Sequence, residues 1–178
     1  MCLETERLIL REMRQDDFDA LKAVLSDPEN MRYYPAPYDD RGVQRWIDWC
    51  VGSYARYGFG LWAVILKETG EMIGDCGISM QQINGKSLPE IGYHILLRCH
   101  RRGYGAEAAR ACIRVGFEHF GFPALYSYMV RDNEPSYRTA MKNGMRQVEE
   151  YIAPDGEPHR VFRITKEEWL RNEETRKG

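Results

Sequence analysis

The sequence predicts one α/β domain of the α+β kind, in which hairpins accompany a strand–helix–strand unit. A length of 178 residues, with 43% hydrophobic and 29% charged residues, is typical of one globular domain. Turn signals at Glu68-Thr-Gly70 and Pro154-Asp-Gly-Glu-Pro158 separate runs rich in strand-forming residues, which indicates hairpins. A helical pattern beginning at Tyr104 separates two further strand-like runs, and this order favours a parallel pair.

The first half of the chain predicts a short strand, two helices and a hairpin. Asp16 or Asp17 can cap the first helix, which stops at Asp27-Pro28, and Asp39 or Asp40 can open the second. The hairpin strands are rich in β-branched and aromatic residues. The expected strands are at 7–11, 60–66 and 72–82.

The second half predicts four strands and two helices before a charged end. Asn84-Gly-Lys86 marks a turn, Asn133 is the expected cap of a short helix, and Gly144 is its expected stop. The segment at about 167–178 is a charged C-terminal tail, and the part after Trp169 is the one place where the composition suggests disorder. The expected strands are at 91–97, 124–130, 147–152 and 159–165, and the long helix covers 104–120.

Composition excludes several classes of protein. A net charge of −2 and a pI near 6.1 argue against a general nucleic-acid binder or a binder of anionic membranes. Five scattered cysteines without a Cys-x-x-Cys pair indicate neither a disulfide framework nor a zinc site, so no metal is expected. The chain start lacks a signal-peptide core, and no run approaches the ~20 apolar residues of a membrane span. A cytoplasmic location is therefore expected.

Three arginines and two glycines lie between the apolar run at 91–97 and the helix that begins at Tyr104. Glycines let the backbone of the first helical turn approach an anion closely. The N–H groups there carry roughly half a positive charge, which favours phosphate. The stretch therefore predicts a phosphate-binding loop. Its arginines are Arg98, Arg101 and Arg102, and its glycines are Gly103 and Gly105.

A dinucleotide is one possible ligand, because Gly103-Tyr-Gly-Ala-Glu-Ala108 matches G-x-G-x-x-A between a strand and a helix. That motif needs an acidic residue about 20 positions on, whereas Asp132 lies 29 positions after Gly103. Too few strand–helix units follow to complete a nucleotide-binding half. A dinucleotide-binding protein is therefore the less favoured hypothesis.

Four motifs follow one another in the second half of the chain. They are Glu90-Ile-Gly-Tyr, Arg101-Arg-Gly-Tyr-Gly-Ala-Glu-Ala108, Asn133-x-x-Ser136 and Lys142-Asn-Gly144. Taken together, they resemble the GNAT superfamily of acetyl-CoA-dependent N-acetyltransferases. The segment from Leu3 to Arg11, the Asp16-Asp-Phe segment and Ser26-Asp-Pro-Glu-Asn-Met-Arg-Tyr33 resemble the branch that contains the ribosomal-protein N-terminal acetyltransferases. The resemblance covers Leu3 to about Val161.

The resemblance implies a mixed, mostly antiparallel sheet flanked by helices and splayed between the strands at 91–97 and 124–130. Acetyl-CoA would lie in that opening, its pantetheine paired with the strand edge and its pyrophosphate on the loop. His100 departs from the family pattern, which has Gln or Arg at that place. The cofactor-binding residues implied are Ile95, Leu97, Arg98, Arg101, Arg102, Gly103, Tyr104, Gly105, Ala106, Asn133, Ser136 and Lys142.

Direct N-acetylation requires a neutral amine, a stabilised oxyanion and a departing thiolate. Glu90 is the first candidate base, acting through water, and His94 is the second. The family places an oxyanion donor at a strand bulge, which would fall near Tyr93 or His94. The family's frequent tyrosine acid is replaced by Ala140, so Ser136 and Tyr137 are the substitutes implied.

The region between residues 31 and 54 is unusually aromatic and is the expected acceptor-binding region. Core packing explains the same rings equally well. The rings singled out are Tyr33, Tyr34, Tyr38 and Trp46. The acceptor is expected to be a primary amine, either a peptide N-terminus or a small molecule, and a homodimer is compatible with the sequence. Because no base is unambiguous, a non-catalytic acyl-CoA-binding module is the alternative from another class.

Overall fold

The structure is a computed structural model that describes residues 1–177. Its secondary structure alternates short strands with five helices, in the class that the sequence predicts. The strands are β1 Cys2–Glu4, β2 Leu8–Arg11, β3 Leu61–Leu66, β4 Met72–Ile83, β5 Lys86–Ile95, β6 Ala124–Val130, β7 Arg146–Ile152 and β8 Pro158–Thr165. The helices are α1 Phe18–Leu25, α2 Asp40–Tyr57, α3 Tyr104–Glu118, α4 Glu134–Lys142 and α5 Lys166–Lys177.

The strands form one sheet in the order β1-β2-β3-β4-β5-β6-β8-β7, mixed and mostly antiparallel, which confirms the expected fold class. The parallel pair is β5 with β6, as the strand–helix–strand order predicts, and Glu90 lies opposite Tyr126 in it. The expected splaying apart of these two strands, predicted between residues 91–97 and 124–130, stays a prediction. Within the described residues, no helix is both long enough and apolar enough to cross a membrane.

Chain contacts divide the molecule into two compact units, one of residues 1–79 with 92–112 and one of residues 80–91 with 113 onward. In the first unit, β1 to β4 pair antiparallel, and α1 and α2 pack their apolar faces into a shared core. Val43, Ile47 and Cys50 recur at the helical spacing that one buried face of α2 requires. The Asp39 side chain caps α2 by accepting from Gly42 N at 2.7 Å, as expected.

The predicted cap of α1 differs in detail. Asp17 occupies the N-cap position but makes no side-chain cap bond to α1. Its carboxylate instead accepts from Arg14 N at 2.8 Å and pairs with the Arg11 guanidinium at 2.7 Å. The Asp17 carboxylate binds the Arg11 guanidinium of β2 rather than an N–H group of α1, because a bidentate bond to a guanidinium is stronger than a bond to a neutral backbone group.

The structure also corrects the predicted end of β5. The strand stops at Ile95, and Leu97 lies in the 3₁₀ turn Leu97–Cys99 rather than in the predicted strand at 91–97. The turn forms because His100 Nε2 bonds the Ile95 carbonyl at 2.7 Å and Cys99 N donates to the Leu96 carbonyl at 2.8 Å. At its other end β5 begins at Lys86, after the turn at Asn84 and Gly85.

In the second unit, β6 and β7 each pair antiparallel with β8. The segment after Trp169, where the sequence suggests disorder, is instead part of helix α5. Trp169 is buried and its ring lies 5.4 Å from that of Phe117. The charged helix is therefore held in part by this aromatic residue, since a buried Trp contributes a large apolar area, and in part by the ion pair between Glu168 and Arg146.

Candidate functional site

A buried carboxylate in the middle of β4 is the centre of the first unit's polar chemistry. Asp75 is fully buried and accepts three N–H groups. Its Oδ2 accepts from Trp46 Nε1 at 2.7 Å, and its Oδ1 accepts from the His94 backbone N at 3.1 Å and contacts His94 Nδ1 at 2.8 Å. An ionised carboxylate has only acceptors, and three N–H donors satisfy it without water.

The backbone beside Asp75 lets β5 approach unusually closely. Gly74 has φ +150°, and a Cβ built there would lie 1.9 Å from the His94 carbonyl oxygen. Ile73 is the extra residue of a bulge, because Val64 pairs with Gly74 whereas Ile65 pairs with Met72. Only glycine fits this contact, and the contact brings the Asp75 carboxylate to His94.

His94 connects the buried carboxylate to an exposed hydroxyl. Its side chain is 8% exposed, and its Nε2 lies 2.7 Å from the Tyr34 hydroxyl oxygen. Because the Asp75 carboxylate can only accept, the Nδ1 of His94 carries the proton, and in the neutral ring Nε2 then accepts from Tyr34. Tyr34 itself is 40% exposed. These contacts lead from the interior to the surface.

Aromatic rings surround the imidazole. The rings of Tyr34 and Trp46 each lie 5.4 Å from that of His94, and Tyr38 and Trp49 contact the Trp46 ring at 5.5 and 5.3 Å. Burial, together with the charge of Asp75, raises the pKa of Tyr38. We call Asp75, His94, Trp46 and Tyr34 the Asp75–His94 centre.

The structure brings together three of the four aromatic residues singled out in the sequence. Tyr34, Tyr38 and Trp46 all belong to the cluster around His94. Tyr33 instead lies beneath the Arg32 guanidinium, 4.9 Å from it. The first unit thus brings three of the predicted acceptor-binding rings to His94, one of the candidate bases, while the acceptor role itself stays a prediction.

The phosphate loop, residues 98–106, ends in the first turn of α3. Its backbone reverses through positive φ at Arg101 (60°) and Gly103 (83°), and the first helical bond runs from Glu107 N to the Gly103 carbonyl at 3.0 Å. The N–H groups of Tyr104, Gly105 and Ala106 precede that bond, so helix geometry gives them no carbonyl within the helix. The local backbone therefore has the form that binds anions.

The loop is fixed from the N-terminal end of the chain. Arg7 donates to the Arg102 carbonyl at 2.9 Å, pairs with Glu107 at 2.6 Å, and covers the Tyr104 ring at 4.5 Å. Thr5 Oγ1 donates to the same Glu107 carboxylate at 2.6 Å. Burial opposes ionisation of Glu107, but these bonds outweigh it and lower the pKa of the carboxyl group.

The side chains of the loop differ in what they contact. Arg98 forms an ion pair with Glu71, so part of its charge is already balanced. Arg101 and Arg102 are exposed. The His100 ring turns back to the β5 backbone, so at this departure from the family pattern the side chain fixes the loop to the strand. The role of each residue toward a phosphate stays a prediction.

The second unit holds the remaining candidates. Asn133 Oδ1 caps α4 by accepting from Ser136 N at 3.2 Å, and Ser136 is half-buried. The Tyr137 ring stacks on Phe162 at 6.2 Å. Lys142 lies at the opposite end of α4, about 9 Å along the axis from Ser136 at 1.5 Å per residue. The structure therefore does not bring Lys142 to the end of α4 that holds Asn133 and Ser136.

Sequence reasoning missed Asp75 and Arg7. Asp75 stands in an otherwise apolar strand, Met-Ile-Gly-Asp-Cys-Gly-Ile, and a buried carboxylate requires partners. That signal was sufficient to single out Asp75 but not to identify its partners. Arg7 follows Glu6 in an ordinary charged segment, and nothing local indicates that it contacts α3.

Comparison with known proteins gives consistent results. The model of an acetyltransferase (GNAT) domain matches residues 7–146. YkkB, an uncharacterized protein of Bacillus subtilis (strain 168), is 39% identical over 144 residues, which cover 80% of this chain and 84% of YkkB. The protein p20 of Bacillus licheniformis, an uncharacterized N-acetyltransferase, is 33% identical over 139 residues, covering 76% of this chain and 77% of p20.

A solved structure shares the fold. The ribosomal-protein-S5-alanine acetyltransferase of Vibrio fischeri superimposes with a TM-score of 0.73, covering 95% of this chain and 98% of that one. The two sequences are 15% identical, so this likeness concerns the fold alone.

Proposed function

The chain belongs to the GNAT family of acetyltransferases, and from that premise we propose that it transfers the acetyl group of acetyl-CoA to a primary amine. The acceptor is a peptide N-terminus or a small molecule. The observation that carries the proposal is the phosphate loop at the start of α3, since a nucleotide-type pyrophosphate is what that backbone fits.

The loop passes a simple test of fit. A Cβ built at Gly105 would meet Ile95 Cγ1 at 3.6 Å and Tyr93 Cδ2 at 4.0 Å, both ordinary van der Waals distances, so the first turn is not tightly packed against β5 at this position. Arg101 and Arg102 are exposed beside it. Residues 102–106 would hold the pyrophosphate. Acetyl-CoA supplies the thioester whose carbonyl the amine attacks.

Direct attack explains what the site must provide. A thiolate with a pKa near 8.5 departs without much assistance, so a dedicated acid is not required. An α-amine of pKa about 8 is partly neutral at pH 7, whereas a lysine-like amine near 10.4 needs a base. Glu90 and His94 are the candidate bases, and Ser136 and Tyr137 are the candidate acids if one is used.

The structure favours one of the two residues, Tyr93 and His94, near which the oxyanion donor is expected. The backbone N–H of His94 donates to Asp75 Oδ1 at 3.1 Å, so it points toward the carboxylate. An oxyanion donor must point toward the reacting carbonyl. This favours Tyr93 over His94 for that role.

Aromatic rings support a primary amine as the acceptor. The rings of Tyr34, Tyr38 and Trp46 suit a cationic amine, because an ammonium group is attracted to aromatic faces. A peptide N-terminus and a small-molecule amine both carry such a group.

The test is acetyl transfer from acetyl-CoA to a panel of N-terminal peptides, polyamines, amino acids and aminoglycosides, followed by thiol release. Release that depends on the amine and yields the acetylated product by mass spectrometry supports the proposal. Gly105→Asp places a negative charge at the helix start and is expected to weaken CoA binding at least about 10-fold by calorimetry. Gly105→Asn is the control of equal size without the charge.

Two results would contradict the proposed function, and each would favour a different alternative. Tight CoA binding without transfer to any amine would favour the non-catalytic acyl-CoA-binding module. Stabilisation by NAD but not by CoA would favour the dinucleotide hypothesis. We also propose a reducing, cytoplasmic setting, which the five free cysteines support.

A further inference from the structure

We propose that Tyr34, His94 and Asp75 form a proton relay that deprotonates the acceptor amine, with the Tyr34 hydroxyl as the group that meets the amine. The inference rests on the proposed function and deepens it. It makes His94 the base, acting through Tyr34, and adds Asp75 as a positioning residue.

The geometry of the relay is continuous. Asp75 Oδ1 lies 2.8 Å from His94 Nδ1, and His94 Nε2 lies 2.7 Å from the Tyr34 hydroxyl oxygen. Both distances are those of good hydrogen bonds. Exposure rises along the path, since Asp75 is fully buried, His94 is 8% exposed and Tyr34 is 40% exposed. The relay is buried at the carboxylate and reaches solvent at the hydroxyl.

The direction of the bonds follows from the carboxylate. Asp75 also accepts from Trp46 Nε1 and from the His94 backbone, and these fixed donors hold both of its oxygens. The His94 side chain must therefore present Nδ1–H to Asp75 and a lone pair at Nε2. Tyr34 then donates its hydroxyl proton to Nε2, and a lone pair of the same oxygen can accept a proton from an ammonium group.

The charges around His94 favour uptake of a proton. Tyr34 comes from the loop before α2, Asp75 from β4, and Tyr38 and Trp46 from the aromatic cluster. The positive charge of Arg45 acts to lower the pKa of Tyr38. The negative charge of Asp75 acts to raise the pKa of Cys50 and of Tyr54, both on α2. Burial, together with that charge, raises the pKa of Cys50 and of Tyr54, so both stay neutral. An imidazolium at His94 would directly contact the Asp75 carboxylate.

The step balances without any further reactant. The ammonium group of the acceptor gives one proton to the Tyr34 oxygen while Tyr34 gives its own proton to His94 Nε2. The products are a neutral amine, a neutral tyrosine and an imidazolium ion paired with Asp75. The amine lone pair then forms the C–N bond to the acetyl carbon, and the C–S bond breaks to release the CoA thiolate. The thiolate takes the second proton of the nitrogen, which gives the amide and the free thiol, and the proton on His94 returns through Tyr34 to water.

The structure also explains why a purely structural role is insufficient. A buried histidine that only satisfied Asp75 would need Nδ1, not a second bond from Nε2 to a hydroxyl at the surface. The surrounding rings pack against His94, whose side chain is 8% exposed, while Tyr34 is 40% exposed. This arrangement lets a single hydroxyl control access to the imidazole.

The kinetic test uses the panel amine that gives the fastest thiol release. His94→Gln is expected to lower kcat about 100-fold and to remove the acid limb of the kcat–pH profile, because proton transfer by a base contributes about that factor or more. Tyr34→Phe removes only the hydroxyl and is expected to lower kcat about 10-fold or more. His119→Gln and Tyr57→Phe, both at exposed positions, are the matched controls and keep the profile.

Asp75→Asn tests positioning through a readout that packing alone does not move. Loss of the anion destabilises the imidazolium, so the acid limb shifts to lower pH. Nitrogen-15 NMR of the histidine rings is expected to show the neutral His94 proton on Nδ1 in the wild type. In Asp75→Asn the proton is expected on Nε2, because the amide can present an N–H to Nδ1.

Failure of the relay and failure of the proposed function give different results. The relay is wrong if the wild type acetylates amines while His94→Gln and Tyr34→Phe keep kcat and the acid limb. It is also wrong if Tyr34→Phe raises kcat, because the amine would then reach His94 directly. A wild type that acetylates no amine overturns the proposed function, and the relay with it.

Discussion

The phosphate loop and the Asp75–His94 centre lie in the same unit but are built in opposite ways. The loop, residues 98–106, is one continuous segment with exposed arginines, and the N–H groups at its helical end have no carbonyl partner within α3. The centre collects Tyr34, Trp46, Asp75 and His94 from four separate segments and buries its carboxylate completely. The conformation of the loop is therefore set mainly within one segment that Arg7 then holds in place, whereas the centre exists only through tertiary packing.

This difference has an energetic consequence. A solvated loop loses little stability when a side chain changes, since water replaces the lost partner. A buried carboxylate with three donors loses a partner that water cannot replace. Substitutions in the centre should therefore reduce folding stability, whereas substitutions in the loop should reduce ligand affinity with the fold retained.

The largest effect is expected from Gly74→Ala, which acts on the backbone contact behind the centre. The new Cβ would lie 1.9 Å from the His94 carbonyl oxygen, at a φ of +150° that side chains disfavour. Both terms oppose folding, and we expect a loss of about 3 kcal/mol or more in the free energy of unfolding. Urea denaturation followed by circular dichroism measures it.

Gly70→Ala is the matched control, because Gly70 has φ +71° but a Cβ there meets nothing within 4 Å. It should cost only about 1–2 kcal/mol, the conformational part of the penalty. Equal losses of unfolding free energy in the two variants would show that the close approach of β5 to β4 adds nothing to the cost of the Gly74 substitution. The centre would then be no more sensitive to substitution than an exposed turn.

The phosphate loop could be predicted from the sequence because its signals are local. Gly103, Gly105 and the arginines beside them are neighbours in the chain, and the helix they open has a clear apolar period. The same holds for the caps at Asp39 and Asn133 and for the hairpin turn at Asn84. Each is decided within about four residues.

The centre could not be predicted because its partners are distant in the chain. Asp75 and His94 are separated by 19 residues, and Trp46 lies 29 residues before Asp75. Their meeting depends on the bulge at Ile73 and on the φ of Gly74, which no local pattern indicates. The sequence identified His94 and Trp46 singly, but only tertiary structure supplies the carboxylate that joins them.

The next largest effect is expected from Trp46→Phe, which removes one donor from Asp75. The substitution keeps an aromatic ring but deletes the Nε1–H bond of 2.7 Å to Oδ2. Hydrogen bonds to buried charged groups contribute about 1.5–3 kcal/mol, so we expect a loss near 2 kcal/mol. Trp49→Phe, on the more exposed ring of the same pair, should change stability by less than about 0.5 kcal/mol. Equal losses would mean that ring size, rather than the bond to Asp75, determines the cost.

A smaller effect is expected from Arg7→Met, and it should appear in affinity rather than in folding. Arg7 holds the Arg102 carbonyl and Glu107 while it covers the Tyr104 ring. Without it the loop becomes more mobile, and ordering it costs binding free energy. We expect calorimetry to show CoA binding weakened about 10-fold, or about 1.4 kcal/mol.

Arg56→Met is the matched control for Arg7, because Arg56 covers the Tyr57 ring at 5.0 Å on α2 and does not contact the loop. It should leave CoA binding unchanged. If both variants bind equally well, the contacts of Arg7 are incidental and the loop is ordered by its own backbone.

The smallest effect concerns the pH dependence of stability and Glu107, which joins α3 to the segment between β1 and β2. Burial opposes its ionisation, but bonds from Thr5 and Arg7 outweigh burial and lower its pKa from 4.5. A carboxyl group whose folded pKa is depressed stabilises the fold above its unfolded pKa, and that stability is lost as the pH falls through the folded pKa. Because its partner Arg7 is largely exposed, we expect less than about 1 kcal/mol. In Glu107→Gln the free energy of unfolding should fall less steeply below pH 4.5 than in the wild type.

Glu118→Gln, at an exposed position of the same helix, should keep the wild-type slope. Asp17, whose pKa is lowered by its bonds to Arg11 and Arg14 despite burial, and Glu168, whose pKa is lowered by its bond to Thr165, contribute to the slope that remains. An unchanged slope in Glu107→Gln would mean that the carboxylate anchors the loop only by geometry, and that its charge contributes nothing to the folded state.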